Sequence, residues 1–150
     1  MNERLYTSRR YSILKALTEK LSEIDGTGDH KTNLWGRVAP KLVFWDEIDE
    51  YPSVFLGLGP ESRVYQGGGY KDRYLTIAVR CYVNEEDPQE ALELLLEDIE
   101  TVIEQNGRLA YQDSNGVAQN THDILVINID TDEGALAPIG AGEMTLQVRY

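Results

Sequence analysis

Few residues of this 150-residue chain have the type and spacing to do chemistry. His30 and His122 lie far apart, and neither has cysteine, histidine or glutamate neighbours at the spacing a metal ion needs. Both read as ordinary surface histidines. One acidic cluster is Asp130, Asp132 and Glu133 in DTDEG. It looks like the start of a calcium loop, but Gly134 comes too early and no glutamate closes a twelve-residue loop. A solvated turn at a strand end is the simpler reading. Cys81 is the single cysteine, so no internal disulfide can form, and its place among alternating apolar residues marks a buried, inert thiol. No Gly-x-Ser-x-Gly, His-Glu-x-x-His or Cys-x-x-Cys occurs. The run Gly67-Gly68-Gly69 lacks a following Gly-Lys-Ser/Thr and opens no helix, so it is not a phosphate loop. Carboxylate pairs for acid–base work can be chosen at will from 26 acids, but nothing in the sequence brings two together. The expectation is a chain that is not an enzyme, with no metal and no cofactor.

The elements that would position any site centre on residues 73–107. From Leu75 the chain alternates, with Leu75, Ile77, Val79, Cys81 and Val83 on one face: a half-buried strand. The period then becomes helical through Leu92, Leu95, Leu96, Ile99 and Ile103, with Glu90, Glu93, Glu97, Glu100 and Glu104 between them. Asp87 as cap, Pro88 in the first turn and Glu90 predict the helix start, and Gly107 its stop. An earlier helix is predicted over 7–24, with the stripe Ile13, Leu14, Leu17, Leu21 and Ile24. Thr7 is its expected cap, Tyr6 and Tyr11 its hydrophobic staple, and Gly26 its end. Arg9, Arg10, Lys15 and Lys20 are expected in solvent.

Residues 25–40 read as a loop, in which Trp35 is either a core plug or a partner anchor. Residues 41–51 fit a strand or a single helical turn. Two short strands, SVFLGLG and SRVYQ, then lead through the glycines into the central strand, an antiparallel meander over 53–83. The glycine run suggests a hairpin arm with Arg63, Tyr65, Tyr70 and Lys71 as contact residues. Residues 108–121, with Asn115-Gly116 as a turn signal and Tyr111 as a contact candidate, read as a disordered tip or a binding loop. DILVINI, 123–129, is a nearly continuous apolar run and is expected inside the sheet with both faces covered. The last strand alternates, with Met144, Leu146, Val148 and Tyr150 on one face. This is an α/β (α+β) pattern: one domain over 1–150, with a mixed, mostly antiparallel sheet packed against an N-terminal helix and a long central helix.

The net charge is −12 and is divided unevenly. Residues 1–80 hold twelve Lys/Arg and eleven Asp/Glu, while 81–150 hold two and fifteen. Tight binding to phosphate backbones needs clustered positive charge, so DNA is not an expected ligand. No apolar run approaches membrane-spanning length, and the N-terminus lacks a signal-peptide core.

The order of elements resembles a known family. Pro52-Ser-Val-Phe-Leu, a glycine-rich link, YLTIAVRCYV, the Asp87-Pro88 helix and the ending DTDEGALAPIGAGEMTLQVRY are similar to the tail terminator (tail completion) proteins of long-tailed bacteriophages. The resemblance runs from about Pro52 to the end, and the N-terminal helix also falls where the family has one. It implies a structural virion protein: a homo-hexameric ring on the head-proximal end of the tail tube, assembled in the host cytoplasm. Such a ring stops tube polymerisation and meets both the tail tube protein and the head connector or neck protein. DNA passes through without specific binding, and no membrane is involved. Two other readings stay open, another phage neck or head-completion component and a small ligand-binding regulatory domain.

Overall fold

The computed structural model describes residues 7–150. Helix α1 spans Arg9–Leu21 and buries Ile13, Leu14, Leu17 and Leu21. Its cap is Ser8 rather than Thr7: the Ser8 hydroxyl accepts from the Tyr11 amide at 3.1 Å. Tyr11 is exposed, and its expected staple partner Tyr6 lies outside the described residues. The helix ends before Ile24, yet Ile24 stays buried because its carbonyl takes the Leu34 amide across the following loop.

A short strand β1, Val38–Ala39, is followed by a single 3-10 turn at Trp45–Glu47, which settles the ambiguous 41–51 segment. Strand β2 then runs unbroken from Ser53 to Tyr65, where two short strands were predicted. Leu58 pairs with Ile77 and Glu61 with Leu75, so Gly59 and Pro60 form a bulge. Pro60, which has no amide to donate, sits where the ladder asks for none. A glycine turn joins β2 to β3, Lys71–Asn84, with Gly68 and Gly69 at φ of 78° and 83°, where a side chain would be strained. The predicted hairpin is therefore present.

Helix α2 spans Pro88–Gln105 with Asp87 as its cap. Strands β4 (Ala110–Gln112) and β5 (Ala118–Asn120) form a small ribbon in the stretch read as an irregular tip. Asp113 makes this turn regular, its carboxylate accepting from the amides of Asn115 and Val117. Strands β6 (Asp123–Thr131) and β7 (Ile139–Arg149) complete the fold.

The main sheet has the order β1-β2-β3-β7-β6, antiparallel except for the parallel β1–β2 pair. Both helices pack on one face, over Leu75, Ile77, Val79, Cys81, Met144, Leu146 and Val148. This is the mixed, mostly antiparallel α+β fold that was expected. One placement differs. Strand β6 is the outermost strand, not an interior one, and Leu125, Ile127 and Ile129 are 49%, 55% and 41% exposed. Only its Ile124 and Val126 turn towards the core.

Candidate functional site

The surfaces that other molecules can reach sort by the two ends of the long strands. At the hairpin end, the β2 bulge turns Glu61 to the helix side of the sheet, opposite Leu75. There the start of α1 meets it. Arg63 donates to Glu61 at 2.6 Å, Arg10 approaches the same carboxylate at 3.7 Å, and the Tyr150 hydroxyl donates to it. Burial pulls the Glu61 carboxyl up, but the Tyr150 hydroxyl, Arg63 and Arg10 outweigh it and leave it below its usual value. The same arrangement pushes Tyr150 up to about 12, through burial first and the Glu61 carboxylate second. The guanidinium groups of Arg9 and Arg73 lie 5.0 and 5.4 Å from the centre of the Tyr150 ring. Arg9 and Arg10, expected in solvent, are thus half-buried structural cations.

Tyr111, expected as a contact residue on a loop, is 6% exposed. It lies in β4 and accepts hydrogen bonds from Arg9 at 3.2 and 2.8 Å, holding the ribbon to α1. The other arm candidates lie on the surface. Tyr65 and Tyr70 are exposed, Lys71 lies 5.8 Å from the Tyr65 ring centre, and Arg63 is committed to Glu61.

The opposite end of the sheet is acidic and aromatic. Trp35 is 66% exposed, so it is no core plug; its neighbour Leu34 fills that place. Trp35 at φ 46° and Gly36 at φ 72° reverse the chain and set the indole against Arg37, 4.8 Å from ring centre to guanidinium carbon. Leu42, Phe44 and Trp45 are exposed nearby in sequence, on a segment tied down by the Tyr82 hydroxyl donating to the Val43 carbonyl. The loop carrying Trp35 is anchored by a residue that the sequence did not single out. Asp98, buried in α2, accepts from the amides of Lys31 and Thr32 and from the Thr32 hydroxyl.

The DTDEG turn also lies at this end. Asp132 accepts from the amides of Leu136 and Ala141 at 3.0 and 3.3 Å, so it fastens the β6–β7 connection. Asp132 and Glu133 line a groove of about 250 Å³ with Glu93 and the first residues of α2. Among the described residues, no group of three His, Cys, Asp or Glu could hold a metal ion. His122 is exposed, whereas His30 is half-buried. Burial pushes the Cys81 thiol up to about 12, which keeps it neutral and unreactive.

A family model described as Bacteriophage Tail Tube Terminator Protein matches residues 7–150. The tail tube terminator protein p142 of Escherichia phage T5 is 36% identical over 149 residues, covering 94% of this chain and 92% of that protein. A chain from the virion of a native gene transfer agent particle has a similar fold, with a TM-score of 0.55 over 93% of this chain and 94% of that one, at 9% identity. The chain belongs to the bacteriophage tail tube terminator family, structural proteins of the phage virion.

Proposed function

We propose that the chain works as one domain and forms a homo-hexameric ring on the head-proximal end of the tail tube. The ring stops tube polymerisation, and its far surface receives the head connector. It assembles in the host cytoplasm before the tail joins the head. Beyond family membership, the observation that best supports this reading is the outer strand β6. Its free edge presents unpaired backbone groups, and three apolar side chains face outward beside it. Such an edge is a template for another chain, and it costs solubility when left bare. For a tail tube terminator the available occupants are its own copies, the tube subunits and the head connector. Exposed Trp35, Arg63, Tyr65 and Tyr70, with half-buried Lys71, supply further contact points. The net charge of −12 suits a passage that DNA crosses without sticking.

The test combines native mass measurement with electron microscopy of tail tubes grown with and without the protein. Six copies bound at one tube end, with tube growth halted, is the expected result. A protein that stays monomeric beside tubes that keep growing would overturn the reading.

A further inference from the structure

The hairpin end of the sheet holds an open cleft of about 520 Å³ lined by Arg9, Arg10, Arg63, Arg73 and Tyr150. Four guanidinium groups line it, and two of them, Arg10 and Arg63, share the Glu61 carboxylate. Neither Arg9 nor Arg73 has a carboxylate within 4.0 Å among the described residues. The Nε of Arg73 is buried without a hydrogen-bond partner among them. Two of the four guanidinium groups thus keep charge without a carboxylate among the described residues, and an anion entering the open cleft would pair with them.

The chain carries the matching anion at its other end. Glu85, Glu86 and Asp87 form an exposed turn between β3 and α2, and among the described residues they make no ion pair. The turn is held in place, not loose: the Glu85 amide donates to the Pro138 carbonyl at 3.1 Å. Glu93, Asp132 and Glu133 crowd the same end, so a cation from outside would relieve their repulsion. One molecule cannot join its own two ends. Arg73 and Asn84 lie at opposite ends of β3, and at about 3.3 Å per residue the strand holds them on the order of 35 Å apart.

We propose that the arginine cleft of one copy takes the Glu85–Asp87 turn of the next. The proposal rests on the ring reading above and names a contact that closes the ring. Each copy brings one cleft and one turn, which are different patches, so the contact is head-to-tail and closes by rotation. Arg73 supplies a guanidinium with no carboxylate of its own among the described residues, and Arg9, also close to the Tyr150 ring, adds charge. Such a contact weakens as salt rises, because the charges at its rim are screened within about 8 Å at physiological ionic strength.

The experiment compares Arg73→Glu, the exposed-turn variant Glu85→Arg with Glu86→Arg, and the combination of all three, by native mass across a salt series. A short DNA duplex serves as a second probe. Each single-sided change should cut assembly at least tenfold, and the combined reversal should restore it. The turn variant lies in solvent, so it keeps the test decisive even if Arg73→Glu folds poorly. Rings that form unchanged in the turn variant would overturn the contact while leaving the ring reading standing. Loss on both sides without restoration would also overturn it. Duplex binding that depends on Arg73, with assembly unaffected, would make the cleft a DNA site instead. A wild-type protein that never assembles, alone or on tubes, would remove the ring reading and this contact together.

Discussion

Helix α2 turns Asp98 inward, where two backbone amides and one hydroxyl donate to its carboxylate. Asp98→Ala strands those donors in a buried place, so a loss of about 2–4 kcal/mol is expected in urea unfolding. Asp98→Asn keeps an acceptor there and should lose less. At the hairpin end, Tyr150 and Glu61 give two opposite pH dependences. Tyr150 holds its proton in the folded state up to about 12, while the unfolded chain releases it near 10. The folded state therefore binds more protons between those values, and stability falls as pH rises through them. Glu61 is depressed below its usual 4.5, so its contribution is complete above that value and disappears as pH falls through the lower folded one. Tyr150→Phe should flatten the alkaline loss, measured as unfolding midpoints from pH 9 to 12. Sequence reading could not rank these residues. Asp98 is one acid in a helix rich in acids, and only the loop packed against it, 66 residues away, tells it from Glu97. Tyr111 carried the same difficulty: a tyrosine after an acidic helix looks like a loop tip until Arg9 is seen to hold it.

Close packing between elements makes glycines informative. A Cβ on Gly140 would meet Val83 Cγ2 at 2.8 Å and the Pro88 carbonyl oxygen at 3.1 Å, where α2 begins its run over β7. Gly140→Ala should cost about 1–3 kcal/mol, since backbone must yield. A Cβ on Gly57 would come still closer, 2.6 Å from Leu42, but that is the exposed end of a flexible side chain. Gly57→Ala should therefore change the unfolding midpoint little and displace the 42–45 segment instead. The elements with two clear faces, α2 and β3, were legible because their apolar periods match what they bury. Strand β6 was not. An apolar run reads alike whether the cover comes from the same chain or from another, and period alone cannot tell an interior strand from an outer one awaiting a partner. Strand β2 was split at Gly57, Gly59 and Pro60 because a bulge leaves the same residue signature as a break.

For the whole molecule, the contrast between its bare outer strand and its filled core carries a prediction. Ile127→Lys, at an exposed position, should leave the monomer's unfolding midpoint within about 0.5 kcal/mol of the parent. It should also weaken self-association or binding to tubes, read by light scattering and by co-sedimentation. An unchanged assembly would take β6 out of the contacts. The uneven division of charge along the chain was legible from the start. The sheet order has one more consequence. The strands β2 and β3 form one hairpin closed by a short turn, and β6 and β7 form another. A single seam joins them, pairing Tyr74 with Arg149 and Asn84 with Ile139, residues far apart in the chain. Those distant pairings cost the most loop closure and should form last in refolding. The molecule is in this sense two prefabricated halves. A protease cut at the exposed Ser114–Gly116 turn should leave both halves bound as one folded unit, and, once separated, the pieces should complement each other on mixing.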